Sequence, residues 1–93
     1  MANLRVFKKD VVYLINEVIS DCWVYMYLNG DKNREEANKI VIDAIELGDN
    51  IFEQINHYPK ENAKTTKAHF KALNAKLLEG VDALFVRLSE LSK

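Results

Sequence analysis

Residues 11–31 read VVYLINEVISDCWVYMYLNGD, and they decide the fold because they hold a long helical repeat and its break. Apolar residues recur at spacings of three and four, as at Val11, Ile15 and Val18, which is the period of one face of an α-helix. Residues 29–31 (NGD) then offer a position that tolerates positive φ and a possible capping side chain. The stretch therefore predicts a long helix that ends in a short turn.

Two breaks divide the chain into three helical segments. After the first break, Asn33 followed by Glu36 resembles a capping box and competes with Asp31 as the start of the second helix. The second break is Pro59, because the residue before a proline avoids the α region and proline fits the first turn of a helix. We predict one domain over residues 1–93, with helices at about 3–28, 32–57 and 59–91.

Three helices of similar length with short connections predict an all-α, up-down-up antiparallel three-helix bundle with long helices. At about 1.5 Å of rise per residue, the bundle would be about 40 Å long. Each helix carries one apolar stripe. The stripes are Leu4, Phe7, Val11, Leu14, Ile15, Val18, Cys22, Tyr25 and Met26, then Ala37, Ile40, Val41, Ala44, Leu47, Gly48, Ile51, Phe52 and Ile55, and then Phe70, Leu73, Leu77, Val81, Leu84, Phe85, Leu88 and Leu91.

The composition fits a small folded protein. The chain has 93 residues, of which 48% are hydrophobic and 29% charged, and its net charge is −1. This balance argues against disorder and gives no overall attraction to nucleic acid or anionic lipid. The single cysteine, Cys22, cannot form an internal disulfide, so we predict a buried thiol in a reducing, cytoplasmic environment.

The apolar segment at residues 11–28 also resembles a membrane span or a signal peptide. Glu17 and Asp21 lie in its middle, and each carboxylate at a bilayer centre costs about 2.5–3.5 kcal/mol. No small-residue cleavage site follows the segment. We therefore predict neither a membrane span nor a signal peptide.

No pattern of residues predicts catalysis or a cofactor. No nucleophile lies in a recognisable arrangement with a base, and the three glycines are isolated rather than gathered in a phosphate loop. One outward face of the second helix carries four possible metal ligands, Glu46, Asp49, Glu53 and His57. In di-metal bundles, by contrast, the ligands point inward. We interpret them as a solvated acidic face and predict no metal, no cofactor and no enzyme activity.

Basic residues gather at one end of the predicted bundle. Residues 1–12 and 51–71 carry a net charge of +4, and the rest of the chain carries −5. The cations could serve solubility, could pair with the acidic end of another copy, or could bind an anionic partner. Nucleic acid fits poorly, because the lysine stripe lacks arginine and interleaved aromatic residues. The candidate anion-binding residues are Arg5, Lys8, Lys9, Lys60, Lys64, Lys67 and Lys71.

The run CWVYMYL at residues 22–28 covers every side of the first helix, so it cannot all face one core. Tyr13, Val24 and Tyr27 fall opposite the apolar stripe, and Trp23 falls at its edge. Tyrosine and tryptophan are enriched at protein interfaces, although packing under loops and termini is an alternative. We expect a protein–protein interaction module that self-associates, as a homodimer, and an unknown protein partner is a further option.

No motif resembles that of a known family. The length and the helical pattern are typical of the small all-helical proteins that are common in bacterial genomes. This likeness rests on no particular residue, so it implies no site and no ligand.

Overall fold

The computed structural model describes residues 4–57 and 63–91, and helices contain 94% of them. The helices are α1 (Leu4–Asn29), α2 (Arg34–Asn56) and α3 (Ala63–Leu91), and the described residues contain no strand. The molecule measures 51 × 19 × 17 Å. It is longer than the predicted 40 Å, and the all-α three-helix architecture is confirmed.

Contacts between the helices show the up-down-up order. The rings of Phe7 and Phe70 meet edge to face at 6.3 Å, so α1 and α3 begin at the same end of the bundle. The Tyr25 hydroxyl bonds the carbonyl of Leu91, so the two helices also finish together. Between them α2 runs in the opposite direction.

The turn between α1 and α2 differs from the prediction in one detail. Helix α2 begins at Arg34 rather than near residue 32, and Asn33 precedes it with a left-handed backbone (φ 55°, ψ 21°). The Asn33 side chain makes no capping hydrogen bond, so the capping box with Glu36 is wrong. Its amide instead donates to the Tyr25 hydroxyl at 3.0 Å. The predicted start of the third helix at Pro59 lies outside the described residues.

The core follows the three predicted stripes. Within the described chain, every buried hydrophobic residue belongs to one of these stripes, and no polar or charged residue is buried. The alternation of three and four residues keeps these side chains on one side of each helix. The buried residues are Phe7, Val11, Ile15, Val18, Cys22 and Tyr25 of α1, Ala37, Ile40, Ala44, Gly48, Ile51 and Ile55 of α2, and Leu73, Leu77, Val81, Leu84 and Leu88 of α3.

Two glycines inside helices make room for neighbouring side chains. A Cβ at Gly48 would lie 3.3 Å from Cγ1 of Ile15, so the absence of a side chain at Gly48 lets Ile15 of α1 lie close to the backbone of α2. A Cβ at Gly80 would lie 2.7 Å from Cδ2 of Leu47. Helix α3 continues through Gly80, so space for Leu47 explains this glycine.

One tyrosine links the three helices at the end of the bundle opposite Phe7 and Phe70. The Tyr25 hydroxyl donates to the Leu91 carbonyl at 3.0 Å and accepts a hydrogen bond from the Asn33 amide at 3.0 Å. Tyr25 itself is buried, so its ring packs in the core while its hydroxyl bonds residues at the helix ends. This hydroxyl therefore fixes the ends of α1 and α3 and the beginning of α2.

Replacing Tyr25 by phenylalanine tests this link. We expect Tyr25→Phe to lower the free energy of unfolding by about 1–2 kcal/mol, because Leu91 and Asn33 each lose a partly buried partner. Urea unfolding followed by circular dichroism measures the change. The control is Tyr27→Phe, an identical change at a residue that is 88% exposed, where we expect no loss. Equal effects of the two substitutions would contradict the role of the Tyr25 hydroxyl.

The Cys22 side chain is fully buried, as the sequence predicts. Burial is the main reason that the pKa of the thiol rises above its ordinary value of 9.0; Asp21 raises it further and Arg87 opposes this. The folded protein therefore keeps the thiol protonated at a pH where the unfolded chain has begun to lose the proton. By linkage, this term leaves stability unchanged below pH 9 and lowers it as the pH rises beyond that value.

We expect the native Cys22 thiol to resist a disulfide reagent at pH 8 and to react at once in urea. We also expect the free energy of unfolding to fall more steeply between pH 9 and 10 in the wild type than in Cys22→Ala. The variant provides the control because it differs from the wild type only in the thiol. Rapid labelling of the folded protein would show that the thiol is accessible.

Candidate interaction surface on α1

The four residues predicted for an interface are all exposed. Their exposed fractions are 64% for Tyr13, 64% for Trp23, 53% for Val24 and 88% for Tyr27. The turn at residues 30–33 does not cover them. Packing of these side chains within the described part of the monomer is therefore minor, and the core is complete without them.

An open groove lies where the start of α1 passes the end of α2. Its volume is about 740 Å³, and it is shallow and open to solvent. Its lining combines apolar and aromatic side chains with three cations. We call this the cationic groove; its lining residues are Arg5, Lys8, Lys9, Val12, Tyr13, Asn16 and Phe52.

The cationic groove divides the predicted anion-binding set. Arg5, Lys8 and Lys9 line it, and none of its lining residues is acidic. Lys64, Lys67 and Lys71 are exposed on α3 and do not line the groove. Lys60, the last predicted member, lies outside the described residues. The structure therefore brings three of the predicted cations together around Tyr13 and leaves three others on a different helix.

A second groove lies between the ends of α1 and α3 and encloses about 410 Å³. It contains Val24 beside Leu28 and Phe85, with Asp21 as its one charged lining residue. The four predicted interface residues thus do not form one compact patch. Tyr13 belongs to the cationic groove, Val24 belongs to this second groove, and neither groove includes Trp23 or Tyr27.

The sequence prediction missed several members of this surface. Leu28 lies at the end of α1, and its side chain is 73% exposed and lines the second groove. Val12 was given no role and lines the cationic groove. Phe52 was placed on the core stripe, and it both packs against the core and lines the groove. Whether Phe52 contacts the core, the groove or both depends on how closely α1 and α2 pack. The spacing of residues within α2 does not determine this.

Two further features of the described residues bear on the site. Residues 4–57 and 63–91 contain no group of three metal-ligating side chains, so Glu46, Asp49, Glu53 and His57 do not converge. By length and composition alone, residues 5–29 of α1 would suffice to span a membrane. The same helix supplies Val11, Val18 and Cys22 to the core, and core helices of soluble proteins pass this test as well.

Comparison with protein-family models, with curated proteins and with solved structures finds no match. No residue role can therefore be carried over from a relative. The function must be argued from the chemistry of the exposed surface.

Proposed function

We propose that this protein is a non-enzymatic helical interaction module that self-associates through the outward surface of α1. The observation that carries the proposal is the exposure of Tyr13, Trp23, Val24 and Tyr27 around a core that is complete without them. Aromatic side chains of this kind dominate the energetics of protein interfaces. The single buried thiol fits a reducing, cytoplasmic compartment.

The size of a stable interface supports a surface wider than four residues. A standard interface buries about 800 Å² on each partner, which is roughly an eighth of the 6544 Å² that the monomer exposes. The two grooves beside α1 extend the surface on both sides. A second copy offers the same apolar surface, so a two-fold dimer buries both at once.

The chain offers a matched pair of valines to test the proposal. Val24 and Val86 are 53% and 51% exposed, and they lie on α1 and α3 respectively. We expect the wild type to sediment as a dimer at tens of micromolar. Val24→Lys should shift it to monomer, because the ammonium group would lose its water in the interface. Val86→Lys should leave the dimer intact.

Both substitutions place lysine within one helical turn of an aspartate, Asp21 or Asp82, so neither should unfold the helix. Circular dichroism of the two variants verifies this. A wild type that sediments as a monomer would refute self-association. Equal effects of the two lysines would remove the outward surface of α1 from the interface.

A second candidate function is binding of an anionic partner, and the cationic groove is the observation that favours it. Arg5, Lys8 and Lys9 line the same groove as Tyr13 and Phe52, so a ligand with negative charge and apolar surface would fit both features. The lysines of α3 do not contribute to this groove. A long polyanion would have to bridge two separate clusters of positive charge, which favours a compact ligand.

Binding of inorganic polyphosphate and of a short single-stranded DNA at low salt tests the second function. If the groove is the site, the Lys8→Glu/Lys9→Glu variant should lose binding at least tenfold, and affinity should fall steeply with salt. The matched control is Lys64→Glu/Lys67→Glu, which reverses the same number of charges on α3. Absence of binding by the wild type at low salt would eliminate this function.

A further inference from the structure

The acidic and basic residues of α1 lie on different sides of the helix. Asp10, Glu17 and Asp21 are seven and four residues apart, so they share one side. Asp21 lines the groove between α1 and α3, which places this side towards α3. Lys8 and Lys9 line the cationic groove, where α1 meets α2. Within the described length of α1, the side next to α2 therefore carries cations and no carboxylate.

The outward side of α2 carries carboxylates beside an exposed isoleucine. Ile42 is 54% exposed. Three carboxylates follow it at four, seven and eleven residues, which is the spacing of one helix face; they are Glu46, Asp49 and Glu53. All three are exposed, and among the described residues none of them forms an ion pair. The acidic face of α2 is therefore available to a cationic partner.

The opposite charges of α1 and α2 meet at one end of the bundle without pairing. Ile15 of α1 lies against Gly48 of α2, and the two helices run in opposite directions. Lys9, six residues before Ile15, therefore lies level with the residues that follow Gly48 by five or six, among them Glu53. Neither Lys9 nor Glu53 forms an ion pair within the described chain.

The ion pairs that α2 does form lie at its other end. Arg34 pairs with Asp31, and Lys39 pairs with Glu36. These cations belong to the beginning of α2, whereas Glu53 lies in its last turns. At the end near Glu53, the face formed by α1 and α2 thus has positive charge along one helix and negative charge along the other.

Such a face is complementary to its own copy when both molecules point the same way. We propose that two copies pair through the faces formed by α1 and α2, about a two-fold axis parallel to the helices. This rotation sets α1 of each copy against α2 of the other and keeps every residue at its level. Lys9 of each copy then lies level with Glu53 of the other. The proposal rests on the self-association proposed above and adds α2 as the second half of the interface.

Apolar side chains of the same face form the middle of this interface. Val12 and Phe52 line the cationic groove from opposite helices. Trp23 follows Val12 by eleven residues and Ile45 precedes Phe52 by seven, so each shares a helix side with a groove residue. Trp23 and Ile45 are 64% and 47% exposed in the monomer. The rotation lays Val12 over Phe52 of the other copy, so each groove is covered by the groove of its partner.

Two other occupants of the groove fit the charges less well. If α1 lay against α1 of the second copy, Lys8 and Lys9 would face a helix side without a carboxylate, and the acidic face of α2 would remain in water. A free anion in the groove would leave the same face uncovered. The pairing of α1 with α2 joins positive and negative charge twice, so charge complementarity selects it.

The distance between two spin labels tests the orientation. Lys32→Cys in the Cys22→Ala background places one label in the turn between α1 and α2. Packed helices have axes about 8–10 Å apart, so the proposed dimer should hold the two labels within about 25 Å. An antiparallel dimer would place them at opposite ends and more than about 30 Å apart, since the 26 residues of α1 alone span about 39 Å. A long distance would overturn the proposal.

Reversal of charge tests the contact between α1 and α2. Lys9→Glu and Glu53→Lys each place like charges at this contact twice in their own homodimer. We expect each to raise the dissociation constant about tenfold at pH 8 and low salt. The double variant Lys9→Glu/Glu53→Lys restores opposite charges and should dimerise within about twofold of the wild type. A 1:1 mixture of the two single variants should recover as well, because both contacts of the heterodimer join opposite charges.

The matched control is Lys9→Glu/Glu79→Lys, which has the same net charge and places the new lysine on the exposed surface of α3. We expect it to remain as weak a dimer as Lys9→Glu, with full helix content by circular dichroism. Equal recovery in the two double variants, or none in either, would overturn the contact between α1 and α2 while leaving self-association in place. A wild type that stays monomeric would overturn both proposals together.

Discussion

A helix in a three-helix bundle can bury only one of its sides, yet residues 22–28 of α1 place apolar groups on all of them. The core takes Cys22 and Tyr25 and contacts Met26. Trp23, Val24 and Tyr27 remain exposed. The exposed surface at the end of α1 and the groove that contains Val24 and Leu28 both follow from this excess of apolar residues on one helix.

The end of the bundle that carries this excess is held together by hydrogen bonds between the helices. Tyr25 turns inward between Trp23 and Tyr27, and its hydroxyl bonds Leu91 and Asn33. The outward side chains therefore stand on a part of the helix that is held by the other two helices. A surface fixed in this way pays little conformational entropy when it docks, which favours association.

The sequence predicts the core well because helical periodicity is a local property. The positions of Val11, Ile51 and Leu77 on their stripes follow from spacing alone, and all three are fully buried. The same reasoning identifies Tyr13 and Tyr27 as outward-facing. The role of Asn33 could not be predicted, because a capping asparagine and one that bonds Tyr25 look alike in sequence. The structure distinguishes them through a contact between helices.

The candidate site, too, could be predicted only in part from the sequence. Charge counting placed seven cations at one end of the bundle, and the cations of α1 and α3 fall on different surfaces. Spacing within one helix does not fix how neighbouring helices rotate against each other. The cationic groove exists because Phe52 of α2 lies beside Val12 and Tyr13 of α1. This contact between α1 and α2 forms a groove at the basic end of the bundle.

The central claim is that a second copy covers the outward surface of α1, and Trp23 reports on it directly. Trp23 is the only tryptophan of the chain and is 64% exposed in the monomer. Its emission spectrum, recorded from nanomolar to tens of micromolar protein, measures whether it leaves water on association. The account predicts emission that shifts to shorter wavelength as concentration rises and returns on dilution. Emission of a solvated tryptophan at every concentration would contradict it.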